Sequence, residues 1–214
     1  LMKKYWSEFF GTFFIIFFGC GSMIMSKLHP SDLNPMLIPI VFGIAVASMI
    51  YTVGHISGAH FNPAVTIAFW ISRNFPRKDV FPYMAFQFTG ALFASMILRL
   101  LFLGQVEDFG VTNSHLSILQ IYLIEFIISF ALMFVISSVA TDSRAEGEFA
   151  GLAIGMIVFL GSAVFGPLTG ASMNPVRTLG PAIVSGNYNH IVIYLVAPTI
   201  GTIAGAFTYK KLKE

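Results

Sequence analysis

Apolar residues in this chain come in long unbroken runs separated by short polar stretches. Six runs, at 6–25, 36–53, 80–103, 119–140, 149–166 and 191–209, approach the roughly 20 residues that a helix needs to cross a bilayer. The period-two alternation of a membrane barrel is missing, so each run predicts a transmembrane helix. Two further apolar pieces, 63–72 and 175–184, are too short to span. Each opens on an Asn-Pro pair, Asn62-Pro63 and Asn174-Pro175. Asn suits the cap of a helix and Pro its first turn. These pieces predict half-helices that enter the membrane and stop.

The pattern occurs twice. The stretch Ser57-Gly-Ala-His-Phe-Asn-Pro-Ala-Val-Thr66 aligns with Thr169-Gly-Ala-Ser-Met-Asn-Pro-Val-Arg-Thr178, and Asn62 and Asn174 stand 112 positions apart. Glu8-Phe-Phe and Glu125-Phe-Ile repeat at a similar spacing, 117 positions. Each half carries three spans and one half-helix. Three is odd, so the second half must be inverted relative to the first. The reading is an all-α membrane protein, with six transmembrane helices plus two re-entrant half-helices in two inverted repeats. It forms a single domain over residues 1–214, with repeats at about 1–104 and 118–214. Inverted repeats with interrupted segments place a site near the midplane, between the halves.

Composition narrows the class. Charged residues are 10% of the 214, hydrophobic residues 56%, and mean hydropathy is +0.80. A soluble domain carries about 25% charge, so an integral protein of the bilayer is left. Net charge of +2 and scattered basic residues argue against a nucleic-acid partner. Cys20, the single cysteine, reads as a small buried hydrophobe and closes no intramolecular disulfide. Lys3 and Lys4 resemble the start of a signal peptide, but Glu8 follows and no small-residue cleavage site closes the run.

Basic residues also set orientation. Lys3, Lys4, Arg73, Arg77, Lys78, Arg144, Lys210, Lys211 and Lys213 fall on one side of a six-span arrangement, and only Lys27 falls in the opposite loops. Both termini are therefore expected in the cytoplasm, in a plasma or bacterial inner membrane. Arg99 and Arg177 sit at membrane depth or its edge.

The paired half-helices imply a chemistry. Two N-termini meeting at mid-membrane present unpaired N–H groups and two partial positive charges. A cation there is repelled, whereas a neutral molecule with a lone pair finds donors. The unwound segments Gly58, Ala59, His60 and Gly170, Ala171, Ser172 could line a narrow path with carbonyl acceptors, since irregular backbone at this depth must line a cavity or be buried.

The paired SGAHFNPAVT and TGASMNPVRTLGPA resemble the aquaporin family of major intrinsic proteins over essentially the whole chain. The resemblance implies that Asn62, Asn174, Pro63 and Pro175 form a central constriction. It implies a selectivity filter outward of them, made by Arg177 (three residues after the second Asn), Phe42, Ser162 and Ala171. Water-selective members usually have His where Ser162 stands, so this opening should be wider. Glycerol-conducting members usually have Asp after the Arg and often a second filter aromatic; here Thr178 follows and Phe42 is alone. The stretch Gly166-Pro-Leu-Thr-Gly-Ala-Ser-Met-Asn is similar to glycerol facilitators and to nodulin-like plant members, which share the Val176 departure from Asn-Pro-Ala and often pass small hydroxylated solutes, including metalloid acids. The expected function is a passive channel for water and small neutral solutes such as glycerol, with metalloid acids such as boric or silicic acid within range and with protons and ions excluded. The family implies a homotetramer with one pore per subunit.

Glu8 and Glu125 admit two readings. Carboxylates inside spans are functional suspects, and a secondary carrier could use them to couple to an ion gradient. The symmetric alternative is that each accepts hydrogen bonds from a re-entrant loop, with Gln87 helping. His60 is either a structural histidine or, by resemblance, part of the inner pore wall, and His55 reads as structural. Small residues four apart, Gly43 with Ala47, Gly151 with Gly155 and Gly201 with Gly205, predict close helix packing inside the subunit. No nucleophile–base pair, phosphate loop or metal-ligand cluster is visible, so neither enzyme activity, nor a cofactor, nor a metal is expected.

Overall fold

The computed structural model describes residues 2–145 and 147–214, and among them every regular element is helical. The helices are α1 (Met2–Leu28), α2 (Leu37–Ser57), α3 (Pro63–Ile71), α4 (Arg77–Leu101), α5 (Ile118–Thr141), α6 (Ala150–Thr169), α7 (Pro175–Ser185) and α8 (Ile191–Lys213). A 3₁₀ turn, Gly147–Phe149, leads into α6. Six of the helices are long and apolar enough to span a membrane, and α3 and α7, with 9 and 11 residues, are not. The protein is an integral, multi-pass membrane protein.

Local signals account for the ends. Ser117 and Gln120 form a reciprocal capping box that starts α5. Helices α2 and α6 stop at Gly58 and Gly170, with φ of 82° and 79°, the left-handed turn that glycine adopts without a Cβ clash. Both helices run three to four residues further than their hydropathy suggests, because the glycine, not the loss of apolar residues, ends them.

Packing follows the repeat. Helices α1 and α4 pair, as do α5 and α8, while α2 crosses α6 between the halves. At that crossing a Cβ on Gly43 would stand 2.7 Å from the Gly155 carbonyl oxygen, and one on Gly155 would stand 2.5 Å from the Gly43 carbonyl oxygen. The contact is reciprocal, so a pseudo-two-fold axis passes between these glycines. Gly201 and Gly205 likewise approach the backbone of α5 at Phe126 and Phe130. The small residues thus work inside the subunit, as expected. Each half-helix also packs on a long helix of the other repeat, α3 on α8 and α7 on α4. Thr202 donates to the Ala64 carbonyl at 3.1 Å across the first of these contacts.

Candidate pore

The half-helices meet as their sequence implies. Asn62 and Asn174 both sit in extended backbone, φ −154° and −152°, and each side-chain oxygen accepts from the N–H two residues on, Ala64 at 2.9 Å and Val176 at 3.1 Å. Pro63 and Pro175 occupy the first helical position, where no N–H is needed. The amide nitrogens then cross: Asn62 Nδ2 donates to the Met173 carbonyl at 2.7 Å, and Asn174 Nδ2 donates to the Phe61 carbonyl at 2.9 Å. Each amide nitrogen has two hydrogens. One locks the opposite loop, which leaves one for a guest.

The segments leading to each Asn are strained. Ala59 and Phe61 have φ of 52° and 51°, and their counterparts Ala171 and Met173 have 41° and 52°. A non-glycine residue held there costs of order 1–3 kcal/mol. The two buried carboxylates hold the strain. Glu8 accepts from the His60 and Phe61 N–H groups at 3.0 and 2.6 Å, and Glu125 accepts from Ser172 and Met173 at 3.0 Å each. Gln87 donates to Glu8 at 2.7 Å and to Thr66 at 3.0 Å, and Thr169 donates to Glu125 at 2.7 Å. Tyr83 donates to the Ser57 carbonyl and Tyr194 to the Thr169 carbonyl, 2.8 and 2.6 Å. His60 Nδ1 lies 3.0 Å from Thr66 Oγ1, and Ser172 Oγ lies 2.7 Å from Thr178 Oγ1, the same pairing in each repeat. The carboxylates are therefore fully engaged in holding loops.

One cavity, of about 490 Å³, runs past these loops. Its wall includes Asn62 and Asn174, the four residues Phe42, Ser162, Ala171 and Arg177, and Gly58, Ala59, His60 and Ser172. Toward the other end it reaches Tyr51, His55, Gly147 and Glu148. The structure thus brings together ten of the residues singled out in the sequence. Gly170 caps α6, and a Cβ there would stand 3.1 Å from the Thr112 Cα. Pro63 and Pro175 lie behind the wall, buried at the helix starts. The His60 ring borders the cavity and also packs against Phe69, Phe75 and Tyr83, with centroids 4.6–5.2 Å away.

Arg177 is only 3% exposed. Nη1 donates to the Gly110 carbonyl at 2.6 Å, Nη2 points at Met23 Sδ at 3.0 Å, and the guanidinium lies 5.1 Å from the Phe42 ring centroid, a cation–π distance. Nε is buried and has no hydrogen-bond partner among the described residues. Cys20, buried as expected, lies 3.7 Å from Nη1. Gly110 and Met23 escaped the sequence reading. Phe109 and Val111, on either side of Gly110, are buried and seat the loop. Arg99 also has a job at the membrane edge, donating to the Val184 carbonyl in the last turn of α7 at 2.6 Å.

The family model of the major intrinsic proteins matches residues 1–209. The chain belongs to the major intrinsic protein family. Nodulin-26 of Glycine max is 50% identical over 208 residues, covering 97% of this chain and 77% of that protein. Aquaporin NIP1-1 of Oryza sativa subsp. japonica is 49% identical over 212 residues, covering 99% and 75%. Among solved structures, the aquaglyceroporin from Plasmodium falciparum superposes with a TM-score of 0.87 at 25% identity, covering 99% of this chain and 96% of that one. This major intrinsic protein is a channel for water and small solutes. The carrier reading of Glu8 and Glu125 finds no support: both carboxylates are spent on loop amides.

Proposed function

We propose that the channel passes water together with small neutral hydroxylated solutes such as glycerol, extends to metalloid acids such as boric or silicic acid, and excludes protons and ions. The observation that carries this reading is the shared wall of Phe42, Ser162, Ala171 and Arg177 on the same cavity as Asn62 and Asn174. Arg177 holds a fixed positive charge at the cavity wall, so a cation is repelled, and Ser162 gives a neutral solute a hydroxyl contact. Ser162 and Ala171 are small, so the opening admits more than water. At mid-membrane the remaining amide hydrogens of Asn62 and Asn174 receive the lone pair of the guest, while the two half-helix N-termini oppose positive charge. The aquaporin name of the rice relative supports water, and the aquaglyceroporin likeness supports glycerol.

Both termini lie in the cytoplasm of a plasma or bacterial inner membrane, and four subunits assemble into a homotetramer with one pore each. The positive-inside count supports the first and family membership the second. The two inverted repeats form one channel domain, supported by the reciprocal Gly43–Gly155 contact. The deciding experiment is paired permeability in liposomes, water against glycerol, urea and boric acid, by stopped-flow light scattering. Faster shrinkage for water and glycerol than in protein-free liposomes, with no proton current, is the expected result. Uphill solute flux driven by an imposed proton or sodium gradient would overturn it.

A further inference from the structure

Five of the twelve Lys and Arg residues, Lys3, Lys4, Arg73, Arg77 and Lys78, gather at one edge of the molecule. The pairing of α1 with α4 brings them together. Lys4 Nζ lies 2.6 Å from Asp79 Oδ2, and Tyr5 donates to Asp79 Oδ1 at 2.7 Å. Asp79 is buried and taken up by these two donors. Lys3, Arg73, Arg77 and Lys78 flank the pair, all exposed, and none of the four has a carboxylate partner among the described residues. Arg77 and Lys78 open α4, the end at which a helix favours negative charge. The loop that carries Arg73 is well seated. The Asn74 N–H donates to the Phe69 carbonyl at 2.8 Å, and the Phe75 ring packs on His60 and on Tyr83 with centroids 4.6 Å away in each case. Both tryptophans of the chain adjoin this cluster. Trp6, 46% exposed, packs on Phe86 of α4; Trp70, 37% exposed, accepts at its carbonyl from the Arg73 N–H at 3.0 Å. Exposed tryptophan in a membrane protein sits at the headgroup level of the bilayer.

We propose that this edge, where α1 meets α4, binds the phosphate headgroup of an anionic phospholipid. The chemistry of each part fits that occupant. Arg73 and Arg77 present planar forks of donors that match phosphate oxygens. Lys3 and Lys78 add two point charges, and the only acid in the cluster, Asp79, is already engaged by Lys4 and Tyr5. Trp6 and the exposed Phe81 give the glycerol and acyl part of the lipid an apolar flank directly beside the cations. A soluble phosphate compound uses the forks but gains nothing from that flank, so the surface favours a lipid. Each cation near an anionic surface strengthens attachment about fivefold. The proposal does not depend on which solutes the pore passes.

Trp6 itself reports the lipid. Trp70→Phe leaves it as the single tryptophan, on α1, which packs on α2 and α4, whereas α8 packs on α3, α5 and α7. This protein is reconstituted in vesicles of phosphatidylcholine with phosphatidylglycerol in both leaflets, so either orientation is read. Bromine is placed on the acyl chains of one lipid at a time, and it quenches only an adjacent indole. The expected result is a preference for phosphatidylglycerol of about fivefold or more at Trp6. Adding Arg73→Gln, Arg77→Gln and Lys78→Gln together should abolish it; adding Lys210→Gln, Lys211→Gln and Lys213→Gln should not. Equal quenching by both lipids in the parent protein overturns the proposal. So does equal loss in the two triple variants, which would mean that net charge alone attracts the lipid. Loss of the preference in inorganic phosphate, against chloride of the same ionic strength, means a free-phosphate site and also overturns it. Salt serves where the first triple variant folds poorly: the preference of the parent must fall as sodium chloride rises, and one that salt leaves unmoved overturns the proposal. Vesicles that show the lipid preference but no water flux overturn the channel reading alone.

Discussion

Arg177 is held by Gly110, a residue 67 positions away in a loop between α4 and α5: Nη1 meets the Gly110 carbonyl oxygen at 2.6 Å. The loop is tied down on both sides. Lys27 pairs with Asp108, and Thr112 Oγ1 lies 2.9 Å from Thr178 Oγ1, one residue from Arg177. The charge of Arg177 is thus aimed by a loop as well as by its own half-helix. Arg177→Ala removes both the donor and the repulsion. We expect urea flux to rise about tenfold and a proton current to appear, since one lost barrier contribution of about 1.4 kcal/mol is a tenfold rate change. Stopped-flow light scattering with a pH-sensitive dye inside the liposome reads both; unchanged selectivity would remove Arg177 from the filter.

Ser162→His fills the opening with a larger ring beside Phe42. Glycerol flux should fall about tenfold and water flux by less than about threefold, because a hydrogen-bonding ring admits a single water more readily than a three-carbon solute. Equal slowing of both solutes would refute the argument from width.

Glu125→Gln separates a loop anchor from a proton relay. The substituted amide keeps one acceptor oxygen and turns a donor toward the Ser172 or Met173 N–H. One buried N–H is left unpaired, at a cost of roughly 1–3 kcal/mol, against backbone already strained at Ala171 and Met173. The detergent-solubilised variant should unfold at lower temperature, and its residual flux should remain passive. Retained thermal stability with altered flux would count for a relay.

Gly155→Val places side-chain atoms where a Cβ alone already stands 2.5 Å from the Gly43 carbonyl oxygen. The helices must separate, and overpacking of this kind costs about 1–3 kcal/mol. Gly166→Ala, where a Cβ meets nothing within 4 Å, should be tolerated. Size-exclusion chromatography and thermal unfolding of the two variants side by side check the contrast.

Asp142 lies just past α5, on the side where the basic residues gather. Arg144 donates to it three times, from Nε at 2.9 Å, Nη2 at 2.7 Å and its backbone N–H at 3.0 Å, and Tyr209 once, at 2.9 Å. These donors, Arg144 first, hold its carboxyl well below the usual carboxylate range. A carboxylate with a lowered value in the fold adds stability above its ordinary value and loses it only as pH falls below that. The thermal stability of the unsubstituted protein should therefore show no Asp142 contribution to any change between pH 7 and 6. Asp142→Asn should speed trypsin cleavage after Arg144 at neutral pH, measured by gel and mass spectrometry; an unchanged rate would show that the strap does not restrain this loop.

The six spans, both half-helices, the inversion of the repeats and the Asn pair were legible in the chain itself. Their signals are local or periodic: apolar run length, Asn-Pro caps, and one motif copied 112 positions on. Tertiary structure alone decided two other matters. It showed that Asn62 and Asn174 spend one amide hydrogen each on the opposite loop, because that contact joins residues 111 and 113 positions apart. It put Gly110 and Met23 against Arg177, since a backbone carbonyl and a thioether carry no sequence pattern that reports their partner. Runs and repeats determine which segments enter the bilayer; which atoms of distant segments meet is determined only when the two halves interlock.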